Sequence, residues 1–230
     1  MHLQLLLLNL LFIPRLYATT YCLDYAGGNN ANDGLSPATA WKNLFKIREV
    51  NSPGDVFLFK RGEVWRTERL YITVSGTSSQ PISYGAYSST GADPVITTVD
   101  TLAHADEPNS WTTHSTNVWK MPLTQPPGRL FLDGQEYLRG NIISDVGTIE
   151  VQGPRNYWYY EAGELYLYAT QNPALAYAKI EGSTFAYTVL VDQADHLIFS
   201  DLNLQGGFVA SIGILGGQEI MVTDCSIPQN

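Results

Sequence analysis

The sequence is poor in cysteine and in basic residues. Cys22 and Cys225 are its only cysteines and lie far apart, which argues against a disulfide or metal framework. Its 13 basic residues face 22 acidic ones, for a net charge of −9. Nucleic acid is therefore a poor candidate partner. A polyanionic glycan would need a local basic patch or a bridging cation, whereas a neutral glycan meets no such obstacle.

Long hydrophobic runs are also lacking. The apolar run from Leu3 to Ile13 is too short to cross a bilayer but suits the core of a signal peptide, and Ala18 offers a small residue for cleavage. We therefore predict that residues 1–18 are a signal peptide and that the protein is secreted, either extracellular or periplasmic. The mature chain, with 12 basic against 22 acidic residues, is predicted to have no membrane span.

Several common catalytic motifs are absent from the sequence. It contains no GxSxG, HExxH, P-loop or GxGxxG pattern. Serine-hydrolase, zinc-protease and nucleotide chemistry therefore have no support. No cofactor is identified from the residues.

A self-similarity at an offset of 23 residues is present near the C-terminus. Laying 189–204 over 212–227 makes six apolar positions coincide, in pairs spaced by two residues, as in strands. The coinciding pairs are Val189 with Ile212, Val191 with Ile214, Leu197 with Ile220, Phe199 with Val222, Leu202 with Cys225 and Leu204 with Ile227.

Three short strands and three turns in 23 residues describe one rung of a parallel β-helix. Stacked rungs bury one another's apolar interior and satisfy their backbone hydrogen bonds, which a single rung cannot do. The prediction is an all-β protein, a single-stranded parallel β-helix solenoid whose first regular rungs occupy residues 188–230.

Residues 19–101 are predicted to form an N-terminal cap and the first, irregular rungs. One helix is expected from Ala38 or Thr39 to about Val50, where it would cover the open end of the coil. Short β-prone runs follow at 56–59, 70–74, 82–87 and 95–96.

Residues 102–187 are predicted to form a β-rich insertion of antiparallel pairs. Asp133-Gly134 separates two β-prone segments, 129–132 and 135–138, which indicates a hairpin. A second hairpin is expected from the aromatic segments 157–160 and 165–168.

The stretch GGNNANDGLSPATAWKNL at 27–44, followed by PGDV at 53–56 and FKRG at 59–62, resembles the N-terminal region of secreted right-handed parallel β-helix proteins of the pectin-lyase-like superfamily. The segment WYYEAGELYLYATQNP at 158–173 is similar to an insertion in carbohydrate-active members. The resemblance implies action on extracellular polysaccharide, by a glycoside hydrolase or a polysaccharide lyase. Because the superfamily includes non-enzymatic proteins, a non-catalytic adhesin or glycan-binding surface module is the rival hypothesis.

Asp192, Asp195 and His196 are the candidate catalytic residues, because two carboxylates and an imidazole meet where a strand ends. The alternative is that the acids cap turns and His196 lies on the surface. A lyase needs a cationic base beside the uronate, and neither 23-residue copy contains Lys or Arg.

Trp158, Tyr160 and Tyr166 are the candidate substrate-binding residues, because aromatic faces stack on sugar rings. The alternative is that they form cross-strand pairs within a hairpin. Asp201 and Asp224 share the 23-residue offset and are candidate metal ligands, with Ca²⁺ as the ion, although stacked turn positions explain them too.

The sequence ends directly after the third strand of the second copy. This pattern predicts an N-terminal fragment that is inactive by itself. It also predicts an open β-edge near 224–227 through which the chain self-associates.

Overall fold

The structure is a computed structural model that describes residues 18–66, 68–137, 139 and 158–228. This part of the chain is mostly β, as predicted. Only Ala18 of the predicted signal peptide is described, and the rest lies outside the described residues. Within the described ranges, no helix has the length and hydropathy needed to cross a bilayer.

The strands follow one another in short segments. They are β1 (Thr20–Leu23), β2 (Val56–Lys60), β3 (Val64–Trp65), β4 (Leu70–Ile72), β5 (Ile82–Tyr87), β6 (Val95–Thr97), β7 (Val99–Thr101), β8 (Thr112–Ser115), β9 (Val118–Pro122), β10 (Arg129–Leu132), β11 (Gln135–Tyr137), β12 (Trp158–Glu161), β13 (Glu164–Tyr168), β14 (Ile180–Ser183), β15 (Tyr187–Asp192), β16 (Leu197–Ser200), β17 (Asn203–Gln205), β18 (Ala210–Leu215) and β19 (Ile220–Thr223). The described helices are α1 (Ile47–Val50), α2 (Pro173–Ala176) and the 3₁₀ turns Pro37–Thr39, Leu44–Lys46 and Pro108–Ser110.

Three of the sheets are built from parallel pairs. Their strand orders are β1-β2-β5-β16-β19, β18-β15-β4 and β17-β6-β3. The chain visits them in a fixed cyclic order, from β4 to β5 to β6, then from β15 to β16 to β17, and then through β18 and β19. Segments β7 to β14 intervene between the first and second passes.

The pairs expected from the 23-residue offset are in register. Val189 lies opposite Ile212 and Val191 opposite Ile214 in one sheet, while Leu197 lies opposite Ile220 in another. Val189, Val191 and Leu197 are fully buried in a common core, and Ile212 and Ile220 pack against it. Ile214, on the outermost strand β18, is 49% exposed. The strands predicted upstream, at 56–59, 70–74, 82–87 and 95–96, are also observed as β2, β4, β5 and β6.

A ladder of aromatic rings runs through this core across the five-stranded sheet. Register places Tyr21, Phe57, Tyr84 and Phe199 side by side on neighbouring strands. Consecutive ring centroids are 5.4, 5.4 and 5.0 Å apart, with interplanar angles of 13° to 19°. Trp41 extends the ladder at one end, 4.8 Å from Tyr21. Stacked rings add to burial in holding these strands in register.

The single helix predicted from Ala38 or Thr39 to Val50 is wrong. The segment instead forms the 3₁₀ turns Pro37–Thr39 and Leu44–Lys46, followed by α1. The backbone leaves the helical conformation at Ala40 and Asn43, which separates these short pieces. Trp41 bonds through its backbone to Cys22 and forms a bridge with Leu23, and an interior helical residue cannot make those contacts. The segment still contributes Trp41 and Ile47 to the core.

Two antiparallel sheets form the intervening part, as predicted for the hairpins. Their strand orders are β11-β10-β14-β7 and β12-β13-β9-β8. Asp133 and Gly134 have φ of 52° and 79°, which suits the tight turn between β10 and β11. The second hairpin turns at Ala162 and Gly163, two residues instead of the expected four.

A close contact fixes this part against the parallel sheets. The ring of Phe208, in the turn after β17, lies so near Gly128 that a Cβ there would sit 2.1 Å from the Phe208 Cγ atom. The Phe208 amide also donates to the carbonyl of Phe185 at 3.0 Å. Gly128 directly precedes β10, so the contact places β10 beside β17 and forms a cleft between the two sheets.

Candidate functional site

A cleft of about 520 Å³ lies between an outer face of the parallel sheet β17-β6-β3 and a face of the antiparallel sheet β11-β10-β14-β7. Polar and charged side chains from both walls line it, together with one aromatic side chain, Phe131 of the antiparallel sheet. The lining residues are Val64, Arg66, Val95, Thr97, Val99, Arg129, Phe131, Gly134, Glu136, Lys179, Glu181, Gln205, Gly206 and Pro228.

Phe131 lies at the centre of the antiparallel wall with a glutamate on either side. In strand register it is opposite Glu136 of β11 and opposite Glu181 of β14. Directly opposite residues in antiparallel strands have Cβ atoms about 5 Å apart. The two carboxylates therefore flank the Phe131 ring on neighbouring strands, with side chains that reach into the same cleft.

Arg129 contacts both Phe131 and Glu136. Its guanidinium lies over the Phe131 ring, with Cζ 5.1 Å from the ring centroid. It also makes a two-pronged ion pair with Glu136, in which Nε donates to Oε1 at 2.6 Å and Nη2 donates to Oε2. Such a bidentate contact fixes the orientation of the carboxylate.

The opposite wall is less charged. Val64 and Val95 pair across β3 and β6, and Gln205 pairs with Thr97 across β6 and β17. Arg66, which follows β3, donates from Nη1 to the Val99 carbonyl at 3.0 Å. The cleft thus presents apolar, amide and guanidinium groups opposite the Phe131 face.

This combination suits a sugar chain. An exposed aromatic face packs on the apolar C–H face of a pyranose, while carboxylates and Gln205 accept and donate hydrogen bonds to its hydroxyls. Lys179 and Glu181 have no ion-pair partner in the described part of the chain, so both can bond to a ligand.

The predicted catalytic residues lie elsewhere, at the turn between β15 and β16. Asp192 accepts from the Tyr71 hydroxyl at 2.8 Å, and Asp195 accepts from the Gln218 amide at 2.7 Å. His196 lies 2.9 Å from Glu219 and has φ of 54°. The three side chains contact three different partners and do not converge on one point, as is typical of residues that stabilise turns. Their catalytic role stays a prediction.

The predicted substrate-binding aromatics belong to the sheet β12-β13-β9-β8. Trp158 is fully buried and donates from Nε1 to the Tyr137 carbonyl at 2.7 Å, so its ring offers no face to a ligand. Tyr160 donates to the Leu123 carbonyl at 2.9 Å. Burial, together with the hydrogen bond to Glu164, raises the pKa of Tyr166 to about 12. Sugar binding by these three stays a prediction that their packing does not favour.

Asp201 and Asp224, the predicted metal ligands, occupy equivalent turns with φ of 56° and 51°. The Asp201 carboxylate accepts from Arg61 Nη2 at 2.9 Å, and the same guanidinium also bonds to Asp93. Arg61 thus supplies the positive charge that a calcium ion would have supplied beside Asp201. The described residues contain no cluster of three or more metal-ligating side chains. The calcium site stays a prediction.

Sequence reasoning missed the cleft. A two-residue turn at Asp133-Gly134 pairs residue 132 with 135 and therefore Phe131 with Glu136. The register of this hairpin could thus have predicted that Glu136 lies beside Phe131. Glu181 lies 50 residues beyond Phe131. No sequence signal connects β14 to β10.

No protein-family model matches the chain. It is 36% identical over 73 residues to a lacto-N-biosidase of Bifidobacterium longum, a match that covers 30% of this chain and 5% of that protein. The chain therefore spans a small part of the length of this curated relative.

Two solved structures are similar in fold. One, the complex of XylC with xylose, has a TM-score of 0.58 and 13% identity, covering 86% of this chain and 42% of that chain. The other, a glycoside hydrolase, has a TM-score of 0.51 and 12% identity, covering 81% of this chain and 50% of that chain. At these identities the likeness extends to the fold alone.

Proposed function

We propose that this chain is part of a secreted carbohydrate-active protein that binds extracellular polysaccharide in the cleft around Phe131. In its full-length form the protein would act on that polysaccharide as a glycoside hydrolase or a polysaccharide lyase. The alternative is a non-catalytic adhesin or glycan-binding surface module. The observation that carries the proposal is the Phe131 ring between Glu136 and Glu181 in a cleft of about 520 Å³.

The architecture we propose is a right-handed parallel β-helix of the pectin-lyase-like type, with β7 to β14 as an insertion. The fixed cyclic order of the parallel sheets supports it, as do the in-register pairs 23 residues apart. Successive passes through the same three sheets are what a coil of this kind requires. The insertion then lies against the side of the coil, where it forms the second wall of the cleft.

A glycan partner follows from the same cleft. Lacto-N-biosidase, XylC with xylose and glycoside hydrolase are the names of the similar proteins, and each concerns a carbohydrate. The mixed walls of the cleft match a neutral sugar chain, which has both hydroxyl groups and apolar faces. An acidic chain faces no charge penalty in binding such a ligand.

Hydrolysis is the activity that the carboxylates favour. Glu136 and Glu181 stand two strand spacings apart, on the order of 10 Å between Cα atoms. Arg129 holds the Glu136 carboxylate, while Glu181 has no ion-pair partner among the described residues, so rotation of the Glu181 side chain can bring the two carboxyl groups into the range of about 6.5–9.5 Å that inverting hydrolases use. Lysis would instead draw on the cationic groups of Arg66, Arg129 and Lys179 beside a uronate.

Binding of oligosaccharides to the 230-residue chain tests the proposal. Isothermal titration with xylo-oligosaccharides and with oligosaccharides containing lacto-N-biose should show binding to at least one of them. Phe131→Ala should weaken that affinity by roughly tenfold or more, because a stacking face is lost. Tyr159→Ala, at a half-buried tyrosine of β12 outside the cleft, is the matched control and should leave the affinity unchanged.

The release of reducing ends separates the alternatives. In its full-length form, a hydrolase should release them from the bound oligosaccharide, and Glu181→Gln should lower the rate by about a hundredfold or more without equal loss of binding. Binding without any release by the full-length protein would favour the non-catalytic module. If neither oligosaccharide class binds, or if Phe131→Ala binds as well as the original chain, the cleft is not the glycan site.

A further inference from the structure

A pocket of about 440 Å³ lies against the five-stranded parallel sheet, where β5, β16 and β19 begin. Its lining residues are Thr77, Ser78, Pro81, His196, Ile198, Glu219, Ile220 and Met221. None of them lines the cleft around Phe131. The pocket is therefore separate from the proposed glycan site, and its volume lies within the range of small-molecule sites.

Strand register explains why the polar residues of this pocket meet. Leu197 is the first residue of β16, and it lies opposite the first residues of β5 and β19. The residues directly before these three positions, Pro81, His196 and Glu219, therefore stand side by side. The Leu197 amide donates to the Glu219 carbonyl at 3.2 Å, and His196 and Glu219 both have φ of 54°. The two turns thus share one backbone conformation and present their side chains together.

Glu219 fixes the orientation of the His196 ring. Nδ1 of His196 lies 2.9 Å from Oε2 of Glu219. Because an ionised carboxylate only accepts hydrogen bonds, the proton of a neutral imidazole in this pair lies on Nδ1. Nε2 is then an acceptor, and in the described part of the chain Nδ1 is the ring nitrogen that has a protein partner. Nε2 is therefore the atom that remains to bind a ligand.

The wall beside this acceptor is apolar. Ile198 and Met221 lie opposite each other on β16 and β19, and they alternate with Leu197 and Phe199, which point into the core. Met221 is 55% exposed, so its thioether is accessible to a ligand. A sugar would leave several hydroxyl groups against these aliphatic side chains without partners, which is unfavourable. An aromatic ring, in contrast, packs well on aliphatic and thioether groups.

The loop between β4 and β5 forms the remaining wall. Gly76 approaches the preceding turn so closely that a Cβ on it would lie 2.6 Å from the His196 carbonyl oxygen, a contact that only glycine allows. Thr77 and Gln80 then exchange backbone hydrogen bonds of 2.9 and 3.0 Å. This tight turn holds Thr77 and Ser78 at the edge of the pocket.

We propose that this pocket, named the His196 pocket, binds the phenol ring of a small aromatic ligand, whose hydroxyl group donates to Nε2 of His196. The hydroxyl is neutral and has one proton to donate, which matches the single acceptor of the imidazole. The ring packs on Ile198 and Met221. Glu219 is a positioning residue, because it acts through the imidazole tautomer. This binding goes beyond the proposed action on polysaccharide and does not depend on it.

Three aromatic probes of similar size test the His196 pocket. They are p-cresol, which has the hydroxyl group, 4-methylanisole, in which a methyl group replaces its proton, and benzylamine, which carries a cation instead. Each is titrated into the 230-residue chain at low protein concentration, with binding followed by NMR chemical shifts. p-Cresol should bind saturably. The other two should bind roughly fivefold more weakly or worse, because neither offers a neutral hydroxyl donor.

Substitutions then assign the binding to the His196–Glu219 pair. His196→Asn tolerates the left-handed backbone but lacks the ring, and it should lower the affinity for p-cresol roughly fivefold or more. Glu219→Gln should have a smaller effect and should change the imidazole ¹⁵N shifts, because an amide can donate as well as accept and so permits the other tautomer. His114→Asn is the matched control, since His114 is an exposed histidine beside Tyr166, with ring centroids 5.2 Å apart. Unchanged thermal unfolding would show that each variant remains folded.

Several results would overturn the His196 pocket. They are the absence of saturable p-cresol binding, equal affinity for 4-methylanisole, tighter binding of benzylamine, and an affinity of His196→Asn within twofold of the original chain. Phe131→Ala separates this proposal from the glycan cleft: it should leave the affinity for p-cresol unchanged. Loss of p-cresol binding in that variant would place the phenol in the cleft and would also overturn the His196 pocket.

Discussion

At the scale of single residues, the ionisation of Asp24 connects the loop after β1 to β2. The side chain is buried, with 7% of the residue exposed, and its carboxylate accepts from Lys60 Nζ at 2.7 Å and from the Gly27 amide at 2.8 Å. Burial by itself would raise the pKa of Asp24. The hydrogen bonds from Lys60 and from the Gly27 amide outweigh it and lower the pKa below its ordinary value.

This shift predicts an acid-dependent loss of stability. Because the pKa is lower in the folded state, the ionised carboxylate stabilises the fold above the unfolded value of about 3.9, and the contribution is lost as pH falls below it. Asp24→Asn should lower the free energy of unfolding by roughly 1–2 kcal/mol at pH 7 and by less at pH 3.5. Urea unfolding at the two pH values measures this. Asp106→Asn, at an exposed acid, is the control; an equal loss at both pH values would contradict the assignment.

Local patterns predicted the backbone at single residues better than they predicted side-chain partners. Asp133-Gly134 specified its own tight turn, because positive φ is a local property of those residues. The partner of Asp201 was not predictable in this way. Arg61 lies 140 residues earlier in the chain, and only the folded arrangement of strands brings the two together.

At the scale of elements, the aromatic ladder holds four neighbouring strands together. Tyr84 lies in its middle and is fully buried, with Phe57 5.4 Å away on one side and Phe199 5.0 Å away on the other. Tyr84→Ala should destabilise the chain by about 3–5 kcal/mol, because it removes a large buried ring and both stacking contacts. Chemical denaturation measures the loss.

The matched variant at this position is Tyr84→Phe. It keeps the ring and should lower the free energy of unfolding by far less than Tyr84→Ala does. A loss of similar size in both variants would mean that the hydroxyl, and not the stack, carries the stabilisation. Three of the four strands in the ladder, β2, β5 and β16, were predicted from the sequence, whereas β1 was not. The helix expected up to Val50 is not observed, because Trp41 joins the ladder beside Tyr21 and its tertiary contact overrides local helix propensity.

At the scale of the whole molecule, the register of parallel strands was predictable from the 23-residue offset, whereas the cleft was not. The offset arises because residues 23 positions apart lie opposite each other on neighbouring parallel strands, and such pairs recur along the chain. The cleft arises where two unlike parts meet, at Phe208 and Gly128. Nothing repeats there, so its residues carry no periodic signal.

The outermost described strands of the parallel sheets carry exposed apolar residues. β18 and β19 end their sheets, and Ile214, Leu215 and Met221 are each between 47% and 55% exposed. An unpaired strand edge with apolar side chains is a template for pairing with another chain. We therefore expect the 230-residue chain to self-associate through this edge as its concentration rises.

Light scattering over a range of concentrations measures this self-association. Met221→Lys combined with Ile214→Lys should shift the chain toward monomer, since edge charges oppose strand pairing. Leu175→Lys is the matched control, because Leu175 is 67% exposed on α2, away from both edges, and its replacement should leave the mass distribution unchanged. A chain that stays monomeric at every concentration would refute edge pairing. Self-association that persists in the double lysine variant would place the interface on another surface.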